Sequence, residues 1–238
     1  MTDNAAPDGH EQDGMAGGYE QDGMAGGYQQ DGSAAERETV GVGPHPLPWP
    51  DDDRLDPELL EHGDRRNVAD RFRYWRLEAI RDELDHDAFP VEVAIENWAH
   101  SFNIGTVVRN ANAFGVRRVH IVGRRRWNRR GAMVTDRYLH VQHHATVAGV
   151  LAHSGDRGLQ VVAIDNVDGA QPIESVELPE RSLLLFGAEG PGLSAEAVDG
   201  AALVCSITMY GSTRSINAGV ASGIALHSWV RQHAPRAR

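Results

Sequence analysis

The stretch NIGTVVRNANAFGVRRVHIVG, residues 103–123, decides the fold. Its first half carries Ile104, Val107, Val108, Ala111 and Phe114 at three- and four-residue spacing, the apolar stripe of a helix that faces a core. Asn103 is placed to cap that helix and Gly115 to end it. VRRVHIVG (116–123) then reads as a strand, and VEVAIENW (91–98), ahead of the helix, as another. Working outward, RFRYWRLEAIRDEL (71–84) reads as a helix, while LQVVAIDN (159–166), RSLLLFG (181–187) and ALVCSITM (202–209) read as strands. LSAEAVDG (193–200) is a short helix with Ser194 as its cap, and SINAGVASGIALHSWVRQ (215–232) a final one. Strands alternating with helices predict an α/β fold, a parallel sheet covered by helices on both faces.

The other face of the 103–115 helix is polar: Asn103, Gly105, Arg109 and Asn112, with no acid to pair with the arginine. GAEGPGLS (187–194) and MYGSTRSIN (209–217) also stand where a strand ends and a loop begins, the place where open sheets of this class bind ligands. Glycines in the first loop let backbone approach a ligand closely. No Gly-Lys-Ser/Thr follows, so it is not a phosphate loop, and its spacing is not that of the dinucleotide fingerprint. The acid-ended strand (Asp165) precedes the glycine loop, the reverse of the order in a Rossmann enzyme. Glu189 is a carboxylate inside a turn of small residues. Ser215 and Asn217 offer a hydroxyl and an amide near a helix N-terminus, which alone is ordinary capping chemistry. No Gly-x-Ser-x-Gly elbow is present, which argues against a serine hydrolase.

Charge is divided unevenly. Residues 1–70 hold 17 acids against 4 arginines, a net of −13, while residues 71–238 hold 17 acids against 19 arginines, a net of +2. EQDGMAGGY occurs at 11–19 and again at 20–28, a polar repeat too short for a solenoid unit and expected to be disordered. GPHPLPWP (43–50) reads as an extended linker. The expected organisation is therefore an acidic tail and linker over 1–54, a helical extension over 55–90 and the main domain over 91–238.

Between 117 and 137 eight arginines meet one acid, Asp136. Arginine forks suit phosphate, and Trp127 in their midst could stack on a base, so Arg124, Arg125, Arg126, Trp127, Arg129 and Arg130 are candidate contacts to a polyanion, a run that alone does not separate RNA from DNA. HVQHH (140–144) offers three histidines, but no cysteine and no carboxylate at ligand spacing, and no metal is expected. Cys205 is the only cysteine, so an internal disulfide is ruled out. MTDNAAPDGH carries no basic or apolar leader and no run is long enough to span a bilayer, so the expected location is the cytoplasm.

Three stretches in order resemble the three motifs of the SpoU/TrmH family of RNA ribose 2′-O-methyltransferases. Residues 103–123 resemble motif 1, LLLFGAEGPGLS (183–194) motif 2, and ITMYGSTRSINAGVASGIAL (207–226) motif 3. Thr208 stands where proline is common, Ile216 where leucine is common, and Arg214 adds a charge to the loop. The resemblance implies a trefoil-knotted α/β domain, a homodimer, S-adenosylmethionine as cofactor, and tRNA or rRNA as partner. Carried over residue by residue, Leu185, Gly187, Ile207, Met209 and Ile216 would hold the cofactor. Asn103, Arg109, Glu189, Ser215 and Asn217 would form the catalytic set.

The family assigns removal of the ribose proton to the arginine. A guanidinium titrates above about 12, and lowering that by some six units would cost roughly 8 kcal/mol. The rival role is electrostatic: a charged arginine that grips the neighbouring phosphate and stabilises the forming alkoxide. A catalytically idle RNA-binding module and a knotted methyltransferase acting on a base are the alternative readings of the chain.

Overall fold

The computed structural model describes residues 41–98, 103–188 and 190–235. Glu189 and the repeat tail expected to be disordered lie outside the described residues. Seven strands form one sheet: β1 (Val91–Asn97), β2 (Arg118–Gly123), β3 (His140–His144), β4 (Gln160–Ile164), β5 (Gln171–Pro172), β6 (Ser182–Phe186) and β7 (Leu203–Ser206). The order is β3-β2-β1-β6-β4-β7-β5, and every pairing is parallel. Six α-helices are found among the described residues: α1 (Pro57–His62), α2 (Leu77–His86), α3 (Ile104–Ala113), α4 (Val147–Asp156), α5 (Ala195–Asp199) and α6 (Ala218–His233).

β1 is central and buried along its whole length, the two acids on one of its faces, Glu92 and Glu96, included. Alternate side chains split between two cores. Val91, Val93 and Ile95 pack with α3 and α6 through Val107, Val108, Leu226 and Trp229. Ala94 faces the other way, with Val122, Leu183, Leu185, Val150 of α4 and Ala197 of α5. Both faces of the sheet are thus covered by helices. From β1 the chain crosses to β2 on one side, and only later returns as β6 on the other. Such a reversal opens a crevice at the carboxyl ends of the strands.

α3 ends as its sequence predicts. Gly115 takes φ +75°, its N–H reaches the Asn112 carbonyl, and the Val116 N–H reaches that of Ala111, the double closure of a left-handed cap. Asn103 holds the position before α3 but makes no side-chain cap; its amide is used elsewhere.

Three stretches differ from the sequence reading. The expected helix 71–84 is interrupted, because Tyr74 sits at φ +62° with its N–H on the Asp64 carboxylate (3.0 Å) and its hydroxyl on the Gly43 carbonyl (2.6 Å). Only α2, from Leu77, is α-helical there, after one short turn at Asp70–Phe72. The same contacts tie down the start of the stretch read as a linker. Val42 pairs with Asp64, and the His45 N–H donates to the Leu60 carbonyl. HVQHH is not a helical face but strand β3, so successive histidines point to opposite sides and do not converge on one ion. His140 meets Asp85, His143 the Gly123 carbonyl and His144 the ring of His120.

Candidate active site

A cavity of about 580 Å³ opens at the carboxyl ends of β4, β6 and β7. Ile164, Phe186 and Ile207 give it apolar walls; Asn166, Ser215 and Asn217 bring polar atoms to it.

The loop after β6 is drawn in tightly. A Cβ on Gly187 would lie 2.2 Å from the Gly192 carbonyl carbon and 2.4 Å from the Leu193 nitrogen, so glycine alone fits. Two acids hold the loop by its backbone. Asp165 accepts from the Leu193 N–H at 2.8 Å. Glu96, fully buried on β1, accepts from the Ser194 N–H (2.9 Å) and hydroxyl (2.6 Å). Glu96 was not singled out from the sequence; the signal was a charged residue inside a run that otherwise reads as a buried strand. Ser194 also caps α5, its hydroxyl accepting from the Ala197 N–H, as the sequence predicts.

The loop after β7 is held by Asn166. Its Oδ1 accepts from the Ile207 N–H (3.1 Å) and its Nδ2 donates to the Arg214 carbonyl (3.2 Å), bracketing the loop at both ends. α6 begins at Ala218, three residues later than read from sequence, because Asn217 is its cap: Oδ1 accepts from the N–H groups of Gly219 (2.9 Å) and Val220 (3.3 Å). The Asn217 Nδ2 donates to Asn103 Oδ1 at 2.8 Å. One side chain therefore joins the start of α6, the wall of the cavity and the start of α3. Asn217→Ala is expected to lower stability by about 1–2 kcal/mol, the usual worth of such a cap, read as a lower Tm. Asn217→Asp, which keeps the cap but cannot donate to Asn103, separates the two bonds: its Tm should stay nearer wild type.

The family model described as the SpoU rRNA Methylase family matches residues 90–227, more than half of the chain. This chain belongs to that family. It is 31% identical over 200 residues to an uncharacterized tRNA/rRNA methyltransferase of Mycolicibacterium vanbaalenii, covering 81% of this chain and 62% of that protein. It is 29% identical over 143 residues to the tRNA (guanosine(18)-2'-O)-methyltransferase of Escherichia coli, covering 59% of this chain and 62% of that one. The chain thus spans about three-fifths of the length of these curated relatives. Among solved structures it resembles the A. aeolicus TrmH/SpoU tRNA modifying enzyme, with a TM-score of 0.59 and 26% identity over 66% of this chain and 82% of that one.

Within this SpoU domain, Gly187, Ile207, Met209, Ser215, Ile216 and Asn217 line the cavity. Asn103 joins them through Asn217. Leu185 does not: it points to the opposite face of the sheet, into the core beneath α4 and α5. Arg109 lies exposed on α3 outside the cavity lining, and among the described residues it makes no hydrogen bond or ion pair.

The rest of the polar face of α3 is explained by packing. Gly105 is buried, and a Cβ there would lie 2.7 Å from Ala132 N, at the end of the arginine-rich segment. Asn110, not singled out from sequence, donates to the Gly219 carbonyl (2.7 Å) and to Ser222 Oγ (2.9 Å), locking α3 to α6. Gly219 has room for no side chain, since its Cβ would meet Thr106 Cγ2 at 2.7 Å.

Arg124, Arg125, Arg126, Arg129 and Arg130 are all exposed. Their backbone is held by buried Asn97, whose Nδ2 donates to the carbonyls of Arg124 (2.7 Å) and Arg126 (3.0 Å). Trp127 is half-buried against the core, with the Arg129 guanidinium 5.5 Å from its ring centre, so it anchors the loop as well as showing an edge. Arg117, counted in the same basic run, is buried and bonded to Asp85 at 2.7 Å and to the Tyr138 carbonyl.

Proposed function

We propose that this chain transfers a methyl group from S-adenosylmethionine to a ribose 2′-hydroxyl of tRNA or rRNA. The observation that carries the proposal is the Asn103–Asn217 bond. It fastens the helix bearing Arg109 to a glycine-lined cavity of ligand size at the carboxyl ends of β4, β6 and β7.

The cofactor is S-adenosylmethionine, and the residues present fit it. Ile207 and Ile216 offer apolar surface to an adenine ring. The tight loops at 187–192 and 215–218 offer backbone donors and acceptors to its polar parts. When bound, it supplies an electrophilic methyl group. Every other task falls to the protein. Gly187 keeps the cavity floor free of side chains, while Ser215 and Asn217 present polar atoms at its edge. Asn103 positions Asn217, and Glu189 is assigned the task of orienting the arginine or the ribose. Arg109, exposed on α3, takes the electrostatic role. Its fork grips the phosphate beside the target and stabilises the 2′-oxygen as that atom gains the methyl group and its proton passes to water.

RNA docks on the exposed arginines at 124–130, whose segment ends against Gly105 of α3, the same helix that carries Arg109. Replacing Arg125, Arg126 and Arg129 with Gln is expected to weaken RNA binding and to lower the slope of log K against log salt by about 1 for each lost phosphate contact, with cofactor affinity unchanged. Equal loss of cofactor binding would make this loop structural instead.

The working unit in this proposal is a homodimer. Val220 and Ile224, one turn apart on α6 and both exposed, give it an apolar face. No helix among the described residues is long and apolar enough to cross a membrane, and the reaction is assigned to the cytoplasm. The test of ribose against base as acceptor is chemical. A 2′-O-methyl group protects the adjoining phosphodiester from alkali, so label recovered in alkali-resistant dinucleotides supports the proposal, and label in mononucleotides contradicts it.

A further inference from the structure

On the face of the sheet away from α3 and α6, Glu92 of β1, His120 of β2, His144 of β3 and His153 of α4 converge, outside the cavity. The Nε2 atoms of His120 and His153 each lie 2.8 Å from the same oxygen, Oε2 of Glu92. These three donor atoms are all within 4.8 Å of one another. The other carboxylate oxygen is already taken: Arg157 Nε donates to Oε1 at 2.8 Å. The other ring nitrogen of His120 is taken too, its Nδ1 lying 2.9 Å from Nε2 of His144.

Two imidazole nitrogens and one carboxylate oxygen aimed at one point form a recognised donor set for zinc, which leaves a fourth position open. The outer contacts match it. A ligating imidazole is oriented through its second nitrogen, and a ligating carboxylate through its second oxygen, and both devices are present. We propose that Glu92, His120 and His153 bind one zinc ion, with His144 positioning His120 and Arg157 positioning Glu92.

Bonds of about 2.0–2.2 Å in a tetrahedral site would set donors about 3.4 Å apart, so each contact to Glu92 Oε2 need open by only about half an ångström. His120 is wholly buried, whereas the His153 side chain is 19% exposed and gives the ion its way in from the α4 side. The ion would clamp α4 to β1 and β2.

The experiment uses the full chain, stripped with chelator and titrated with zinc chloride by calorimetry, with Tm followed in parallel. One zinc per chain and a raised Tm are expected. His153→Ala and Glu92→Gln should each weaken zinc binding at least 100-fold, and His144→Ala about 10- to 100-fold. Should Glu92→Gln fail to fold, His153→Ala, at a part-exposed position, decides. Absence of stoichiometric zinc binding, or equal binding by wild type and His153→Ala, would overturn the proposal and leave a hydrogen-bonded network without an ion.

Discussion

Arg109→Lys is expected to leave the fold and cofactor affinity intact and to cut single-turnover methyl transfer by about 100- to 1000-fold, the usual cost of removing one donor to a developing oxyanion. Arg109 is exposed on α3, supports no other element and has no partner among the described residues. Its replacement therefore has no structural reason to disturb the chain. Lysine keeps the charge but loses the planar fork that meets a phosphate and a ribose oxygen at once. The comparison thus isolates geometry from charge. Arg109→Ala should fall at least as far. Near-normal transfer by Arg109→Lys would remove both the electrostatic and the base role from this residue.

The second large effect is expected at Gly187. An alanine there would place its Cβ 2.2 Å from the Gly192 carbonyl carbon, 2.4 Å from Leu193 N and 2.5 Å from the Gly192 oxygen, all backbone atoms that cannot rotate away. Relief requires the loop to move, and with it the Leu193–Asp165 and Ser194–Glu96 bonds that shape the cavity floor. We expect the affinity for S-adenosylmethionine to fall at least about 100-fold, equivalent to about 2.7 kcal/mol, as read by calorimetry. Tm should drop as well, since overpacking of this kind costs about 1–3 kcal/mol. Gly155→Ala is the control: nothing lies within 4 Å of a Cβ there, and α4 gains a better helix former. Unchanged affinity in Gly187→Ala would mean that the cofactor does not depend on this loop.

The parts of this molecule that were legible in the sequence are those governed by local periodicity and by backbone special cases. β1, α3 and β2 could be read because a helical stripe and a buried apolar run repeat within ten residues, and Gly115 marks the boundary between them. The glycine loop and Asn217 could be placed because the loops that hold them follow strands directly, whereas Ile207 and Ile216 were named only through the resemblance to the family's motifs. What stayed hidden depends on residues far apart in the chain. Asn110 reads as one more polar position on a helix until α6, over a hundred residues later, is laid across it. Glu92 and Glu96 read as polar positions of an alternating strand, and only folding supplies Ser194 to Glu96 and His120, His153 and Arg157 to Glu92. β3 was missed because an edge strand rich in histidine carries no apolar alternation and only one β-branched residue, Val141. Leu185 shows the limit of carrying a motif over by position: strand alternation turns its side chain away from the cavity while Phe186 and Gly187 line it.

The central claim is methyl transfer to RNA. The most direct measurement is transfer of labelled methyl from S-adenosylmethionine to total RNA of a strain lacking this gene, with tRNA and rRNA separated afterwards. We predict label in one RNA class, and none when the RNA comes from wild-type cells or when the protein carries Arg109→Ala. Absence of label from both classes, with cofactor binding intact, would contradict the account and favour an RNA-binding module that keeps the fold without the reaction.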